Sequence, residues 1–329
     1  MTPEDLEVLR VPLRAYCYRM LGSAADTEDA VQEAIVRAYR HGDRYDPARG
    51  PLRPWVFRIA TTVCLDLLRS GRRRALCVDL GPAAVPGGEL GSPLPAERFV
   101  EPMPDAGLVA ADDPGEVVAQ RESVRLAVVA ALQHLPPRQR ATLLLRDVLC
   151  FSAAETARML DVTPAAANSA LQRARETLGR RRPSPSDPLD TADPAQRALL
   201  ERYVAAFEAH DVGRLAALLC HDARASMPPF TWWIEGGRTI AALVGAGGCE
   251  GARLAPTAIS GQPGFGQYRP DDGGALRPFA LVLVETRGER IAHLTTFLGT
   301  GDRFAEFGLP AVLDESVLSA TDDSGAART

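Results

Sequence analysis

The sequence predicts a multidomain chain of two all-α lobes followed by one α+β domain, and three observations carry that expectation. Apolar residues recur at helical spacing through 5–74 and 121–179, and Pro/Gly-rich stretches interrupt the chain at 79–115 and 180–188. β-like runs at 223–227, 278–286 and 290–297 come only after helical patterns at 194–210 and 212–220, the order of an α+β domain. The expected layout is a first helical lobe at 1–75, a flexible acidic linker at 76–120 and a second lobe at 121–180. A short linker at 181–195, the α+β domain at 196–313 and a disordered tail at 314–329 complete it. A chain of 329 residues has room for two or three such domains.

In the first lobe, Asp26-Thr27-Glu28-Asp29 opens a helix with acids that suit its positive end. Ala30, Val31, Ala34, Ile35, Ala38 and Tyr39 form its apolar stripe. Asp29, Gln32 and Glu33 make a polar face opposite, which by itself reads as an ordinary solvated surface. The basic loop 44–53 follows, then a helix from Trp55 to Arg69 and the run Arg72-Arg73-Arg74. Aromatic rings interleaved with Arg suit a separated nucleic-acid strand, because rings stack on bases and Arg neutralises phosphate. Phe57 is better placed in the core, and Trp55 suits either role.

The second lobe carries a helix at 141–148, then Ser152-Ala153-Ala154-Glu155, a capping box that starts a short helix to Leu160. Asp161-Val162 makes the turn, with Asp tolerating the left-handed conformation, and Thr163-Pro164 starts the next helix with an N-cap and a proline at its first position. Two helices so joined are a helix-turn-helix. Ala167, Leu171, Ala174 and Leu178 should pack inward. Ala165, Ser169, Gln172 and Arg173 point away, flanked by Asn168 and Arg175, with Asn and Gln able to read adenine and Arg able to hold phosphate or guanine.

Charge is partitioned. The net charge is −5, yet residues 10–74 hold 13 Arg against 7 acids and residues 121–182 hold 11 against 5. Residues 75–120 carry −7 and residues 183–329 another −7. Two basic lobes are thus separated by an acidic tether and followed by an acidic domain, so overall acidity does not exclude a nucleic-acid partner. Every basic residue is Arg, which a GC-rich coding bias explains as readily as function. The six cysteines show no CxxC pair and no ligand-spaced histidine, so neither metal nor disulfide is expected. No apolar run nears the ~20 residues of a membrane span. Glu4, Asp5 and Glu7 stand where a signal peptide needs basic residues, and a cytoplasmic location is expected.

Asp29-Ala30-Val31-Gln32-Glu33 and the series Trp55, Ile59-Ala60, Asp66, Arg69 resemble region 2 of the extracytoplasmic-function group of sigma-70 factors. Leu135-Pro136, Arg140, Glu155, Ala157, Leu160, Ser169, Leu171 and Arg173-Ala174-Arg175 are similar to region 4 of that group. The resemblance implies that Asp29, Gln32 and Glu33 face the β′ clamp helices of core RNA polymerase, with the β flap as a further contact. It implies that Arg53, Trp55, Arg58, Thr62, Asp66 and Arg69 engage the −10 element. Thr163, Ala165, Asn168, Ser169, Gln172, Arg173 and Arg175 would read the −35 element. Thr62 stands where the family usually has Asn, a departure that touches base preference at −10.

From Leu199 onward the chain resembles a SnoaL-like cone fold. Gly261–Tyr268, Phe304–Pro310 and the linker phrase Phe99-Val100-Glu101-Pro102-Met103-Pro104-Asp105 are similar to the SigG-type subgroup, in which that domain follows regions 2 and 4. The implied function is promoter-specific initiation, with the last domain modulating it and no cofactor required. Trp232, Trp233, Glu235 and His293 are candidates for a pocket that takes a small ligand. His210-Asp211 and His221-Asp222 are read as helix-end residues rather than catalytic groups. Two alternatives stay open at this point: a helix-turn-helix regulator that never joins polymerase, and a cone-fold enzyme with a DNA-binding front end.

Overall fold

The computed structural model describes residues 2–70, 74–109, 114–180, 186–187, 189–190 and 192–314. Arg72, Arg73, residues 181–185, 188 and 191 of the 181–195 linker and the tail beyond Asp314 lie outside the described residues. The chain divides into two compact units, Met1–Leu76 with Pro95–Ser184 and Cys77–Leu94 with Pro185–Thr329.

The first unit opens with helices α1 (Pro3–Glu7), α2 (Arg10–Leu21), α3 (Ala24–Arg40) and α4 (Leu52–Leu67). Helix α3 begins two residues before Asp26, with Ser23 as N-cap accepting from the Asp26 amide, so Asp26 sits in the first turn instead of opening the helix. Ala30, Val31, Ala34 and Ala38 are buried as the spacing requires, whereas Tyr39 is 61% exposed. Tyr16 on α2 binds Thr61 on α4 at 2.8 Å and meets Phe57 edge-on at 5.5 Å, which locks the two helices together.

Helix α5 (Cys77–Leu80) belongs to the second unit. The first resumes with α6 (Pro114–Val124), α7 (Leu126–Leu132) and α8 (Pro137–Leu143), which runs on as a π-helical stretch, Leu144–Val148. Helices α9 (Ala153–Leu160) and α10 (Pro164–Gly179) follow. Both halves of the Ser152/Glu155 capping box form, Asp161 is left-handed at φ 55°, and Thr163 caps α10. Ala167, Leu171 and Ala174 face inward as expected. The two lobes share one apolar core that joins Val56, Phe57 and Val63 to Leu145, Phe151, Met159 and Leu160.

In the second unit, helices α11 (Pro194–Glu208) and α12 (Val212–Leu218) precede strands β1 (Leu219–Ser226) and β2 (Trp233–Glu235) and helix α13 (Gly237–Gly245). Strands β3 (Arg253–Ile259), β4 (Gln262–Pro270), β5 (Leu276–Arg287) and β6 (Arg290–Leu298) complete one sheet in the order β2-β1-β6-β5-β4-β3. Only β1 and β6 pair in parallel among these strands. Leu199, Tyr203, Phe207, Leu215 and Ile240 from the helices pack with Phe265, Val282, Val284 and Leu294 from one sheet face.

Strands β2, β3 and β4 were not among the expected runs. The phrase Gln262–Pro270 is broken by Pro and Gly, which weaken a strand pattern. Its glycines have a packing reason: a Cβ on Gly266 would stand 2.6 Å from Leu309 and 2.9 Å from Phe304. Tyr268 Oη donates to the Pro310 carbonyl at 2.8 Å and its ring meets Phe304 edge-on, so the two C-terminal phrases noted in the sequence meet across this strand.

The acidic linker is a correction. Where a flexible tether was expected, residues 77–94 pack with the second unit and residues 95–109 with the first. Phe99, Val100, Met103 and Leu108 are each at most 4% exposed. Pro and Gly composition signals a loop, but it does not say whether the apolar residues between them find a groove. His221 and Asp222 are a second correction, since they lie within β1 and not at a helix end.

Candidate nucleic-acid interface

Three faces of the first unit hold the residues singled out in the sequence. On α3, Asp29, Gln32 and Glu33 are exposed and line a groove of about 440 Å³ with Arg37, Val63, Asp66 and Leu67. Glu33 is paired with Arg37 one turn on, at 2.6 Å.

Arg53, Arg58, Thr62 and Asp66 on α4, and Arg69 on the 3-10 turn Leu68–Ser70 that follows it, are exposed and Trp55 is half-buried. Phe57 is fully buried, and Trp55 leans on Tyr45 of the preceding loop at 5.5 Å. Thr62 Oγ1 donates back to the Arg58 carbonyl at 3.0 Å, which shortens its reach still further. Two grooves open on this helix. One of about 510 Å³ joins Arg44, Tyr45, Trp55 and Arg58 to Glu155 and Arg158, and one of about 490 Å³ joins Arg58, Thr62, Asp66 and Arg69 to Pro137, Arg138 and Asp161. The far wall of each is the helix-turn-helix lobe. Arg53 stands over both Phe57 and Phe151, 5.5 and 4.8 Å from the ring centres, and the rings themselves meet at 5.6 Å.

On α10, Ala165, Asn168, Ser169, Gln172, Arg173 and Arg175 are all exposed along one side. The Thr163 hydroxyl is committed to the helix cap, accepting from the Ala166 amide at 3.1 Å. Gln172 donates to Glu176 at 3.1 Å. Arg175 makes a two-pronged pair with Asp147 at 2.9 and 2.7 Å, and that carboxylate holds the guanidinium firmly protonated. Sequence reasoning missed Asp147, because it lies on the π-helical stretch with no local pattern tying it to α10.

The expected pocket of Trp232, Trp233, Glu235 and His293 does not assemble as one site. Glu235, Arg224, His293 and Glu285 stand in one row across β2, β1, β6 and β5, with Trp233 on the same face beside Ser226. Trp232 packs instead in the core on the opposite face with Ile234. Adjacent residues of an extended segment must point to opposite faces. In the row, Ser226 Oγ and His293 Nε2 lie 3.1 Å apart, and His293 Nδ1 is 3.7 Å from Glu285. Burial pushes the His293 pKa down, against the pull of Glu285. Among the described residues no group of His, Cys, Asp and Glu could hold a metal ion.

Two exposed Arg-bearing faces, on α4 and α10, beside an exposed acidic face on α3 have the make-up of a promoter-recognition factor of the sigma type. Sequence-family profiles agree: Sigma-70 region 2 matches residues 7–74, and Sigma-70, region 4 matches residues 125–178. The chain is 44% identical to the ECF RNA polymerase sigma factor SigG of Mycobacterium tuberculosis over 92% of its length and 82% of that protein. It is 33% identical to SigJ of the same organism, covering 68% of this chain and 63% of that one. The crystal structure of SigJ superposes with a TM-score of 0.57 at 22% identity, across 93% of this chain and 99% of that one, a likeness of fold. This chain belongs to the extracytoplasmic-function group of sigma-70 RNA polymerase sigma factors, with an α+β domain built on a six-stranded sheet at its C-terminal end. It binds core RNA polymerase and promoter DNA and is an initiation factor, not an enzyme. Among the described residues no helix is long and apolar enough to cross a membrane.

The Asp147 pair yields a measurable consequence. In Asp147→Asn, Arg175 is released for phosphate, so binding to duplex DNA should tighten. The slope of log affinity against log salt should steepen by up to about 0.9. An unchanged slope would mean that Arg175 contacts no phosphate.

Proposed function

We propose that the α3 face of Asp29, Gln32 and Glu33 docks on the β′ clamp helices and that region 4 meets the β flap. Arg53, Trp55, Arg58, Thr62, Asp66 and Arg69 take the −10 element. Ala165, Asn168, Ser169, Gln172, Arg173 and Arg175 read the −35 element, while Thr163 serves mainly to cap their helix. The observation that carries this assignment is the exposure of three polar faces on helices whose other sides are fully packed. Water alone would satisfy such faces; what supports the reading is that each has the composition its partner would require, in a chain whose lobes match Sigma-70 regions 2 and 4. The protein works in the cytoplasm, where polymerase is.

The SnoaL-like domain, in this reading, modulates promoter use through the linker. Residues 77–94 cross the β2 edge: the Ala84 amide donates to the Trp233 carbonyl at 2.7 Å, and Trp233 Nε1 donates to the Gly81 carbonyl at 2.8 Å. The Leu94 amide donates to the Pro229 carbonyl at 2.8 Å and Cys77 Sγ to the Phe230 carbonyl at 3.2 Å. A domain that holds part of the segment joining regions 2 and 4 has a direct means of acting on both.

Asp29→Arg and Glu33→Arg should each weaken binding to core polymerase by about tenfold or more while leaving the melting curve unchanged. Equal binding by both variants would overturn the docking face. Trp233→Ala loosens the held linker segment, so run-off transcription should change in yield at some promoters relative to the parent chain. The same yield at every promoter would end the modulating role.

A further inference from the structure

The linker phrase Phe99–Asp105 lies outside the three faces assigned above, yet it is among the best-packed parts of the first unit. Phe99, Val100 and Met103 are at most 4% exposed. The Ala75 amide donates to the Arg98 carbonyl and the Val100 amide to the Ala75 carbonyl, at 2.9 and 3.2 Å. At the centre is Glu101. Its carboxylate accepts from the Ala24 amide at 2.8 Å and from the Ser23 hydroxyl at 3.2 Å, at the N-terminus of α3. The other oxygen lies 3.2 Å from Arg74, whose side chain is only 7% exposed and which Asp26 holds at 2.7 Å. The Glu101 amide and carbonyl are bound as well, to Gly22 and to the Tyr18 hydroxyl.

The next residues continue the fastening. Asp105 pairs with Arg121 on α6 at 3.4 Å, and Arg14 donates to the Ala106 carbonyl at 3.0 Å. Gly107, at φ +82°, lies so close to Arg14 that a side chain there would collide with it. Only residues 110–113 separate this fastened segment from α6, which leads into region 4.

Regions 2 and 4 are meanwhile sealed to each other. Besides the Phe57–Phe151 contact, Arg140 of region 4 donates to the Met20 carbonyl, and Gln133 donates to the Arg19 carbonyl at 3.4 Å. A compact unit of this size is roughly 40 Å across. The −10 and −35 elements stand roughly 85 Å apart at about 3.4 Å per base pair. One sealed unit cannot read both.

We infer that Phe99–Asp105 is a clasp, keyed by Glu101, that holds regions 2 and 4 in a closed, promoter-incompetent unit. Because Glu101 is seated on the first turn of the polymerase-docking helix, the clasp also couples closure to that helix. The inference rests on regions 2 and 4 reading separate elements. It adds that in the free chain they are held from doing so by the linker itself.

The test uses the full-length chain with Cys249→Ser and two spin labels, one on the exposed Cys150 in region 4 and one on a cysteine replacing the exposed Val8. Pulsed dipolar spectroscopy should give a single narrow distance for the parent chain. In Glu101→Gln a longer population should grow by about tenfold, the effect of losing one charge-assisted contact. Asp105→Asn leaves the α3 N-terminus intact and should shift the same way, which carries the test if Glu101→Gln disturbs folding as seen by circular dichroism. Unchanged distances in both variants, or a broad distribution in the parent, would overturn the clasp. Run-off transcription with the same parent chain separates the two ideas. A chain that neither binds polymerase nor initiates refutes the reading of the regions, whatever the distances show.

Discussion

Arg74 carries a positive charge to a place where only 7% of its side chain meets water, and a buried cation must be matched by charge and hydrogen bonds. Asp26 supplies one partner from the first turn of α3, and Glu101 supplies the other from the linker. Removing one partner from such a network costs about 3–5 kcal/mol when burial is complete, and less where a partner such as Asp26 is part-exposed. The linker, α3 and the end of the first lobe are therefore fixed together by one buried cation and the two carboxylates that hold it. The burial of Phe99, Val100 and Met103 then follows, because chain on both sides of Glu101 has no freedom to leave.

The same economy appears in the reading faces. Residues proposed to meet DNA also hold the fold in the free chain: Arg53 lies over Phe57 and Phe151, Arg175 on Asp147, Thr163 on its own helix. Each such contact competes with a phosphate or base, so affinity reflects the difference between two partners and not the strength of one. The acidity that looks wrong for a DNA-binding protein is spent in the same way. Glu101 and Asp105 of the acidic linker neutralise Arg74 and Arg121 inside the first unit.

The helix-turn-helix was legible in the sequence because its rules are local. A capping box, a turn residue that tolerates positive φ and a proline at the start of α10 lie within a dozen residues of one another, and all three formed. The polar faces of α3 and α10 were legible from helical spacing for the same reason. The fate of the linker was not, since the groups that hold Glu101, among them the Tyr18 hydroxyl, the Gly22 carbonyl and Arg74, lie far away in the chain. Strand β4 was hidden by glycines that exist to admit Leu309 and Phe304, a reason visible only once those residues are in place. The pocket failed on parity. Trp232 and Trp233 are neighbours in an extended segment and could not have shared a face, a constraint the sequence already contained.

Regions 2 and 4 of the free chain share one core, and under the proposed clasp that core parts when polymerase is bound. Hydrogen exchange of backbone amides, on the free chain and on its complex with core RNA polymerase, reads that parting segment by segment. In the free chain, α4, α9 and residues 99–108 should be protected to a similar degree. On binding, residues 99–108 and the Phe151 end of α9 should lose protection while α3 gains it. Protection of 99–108 and α9 that is the same in both states would contradict the account.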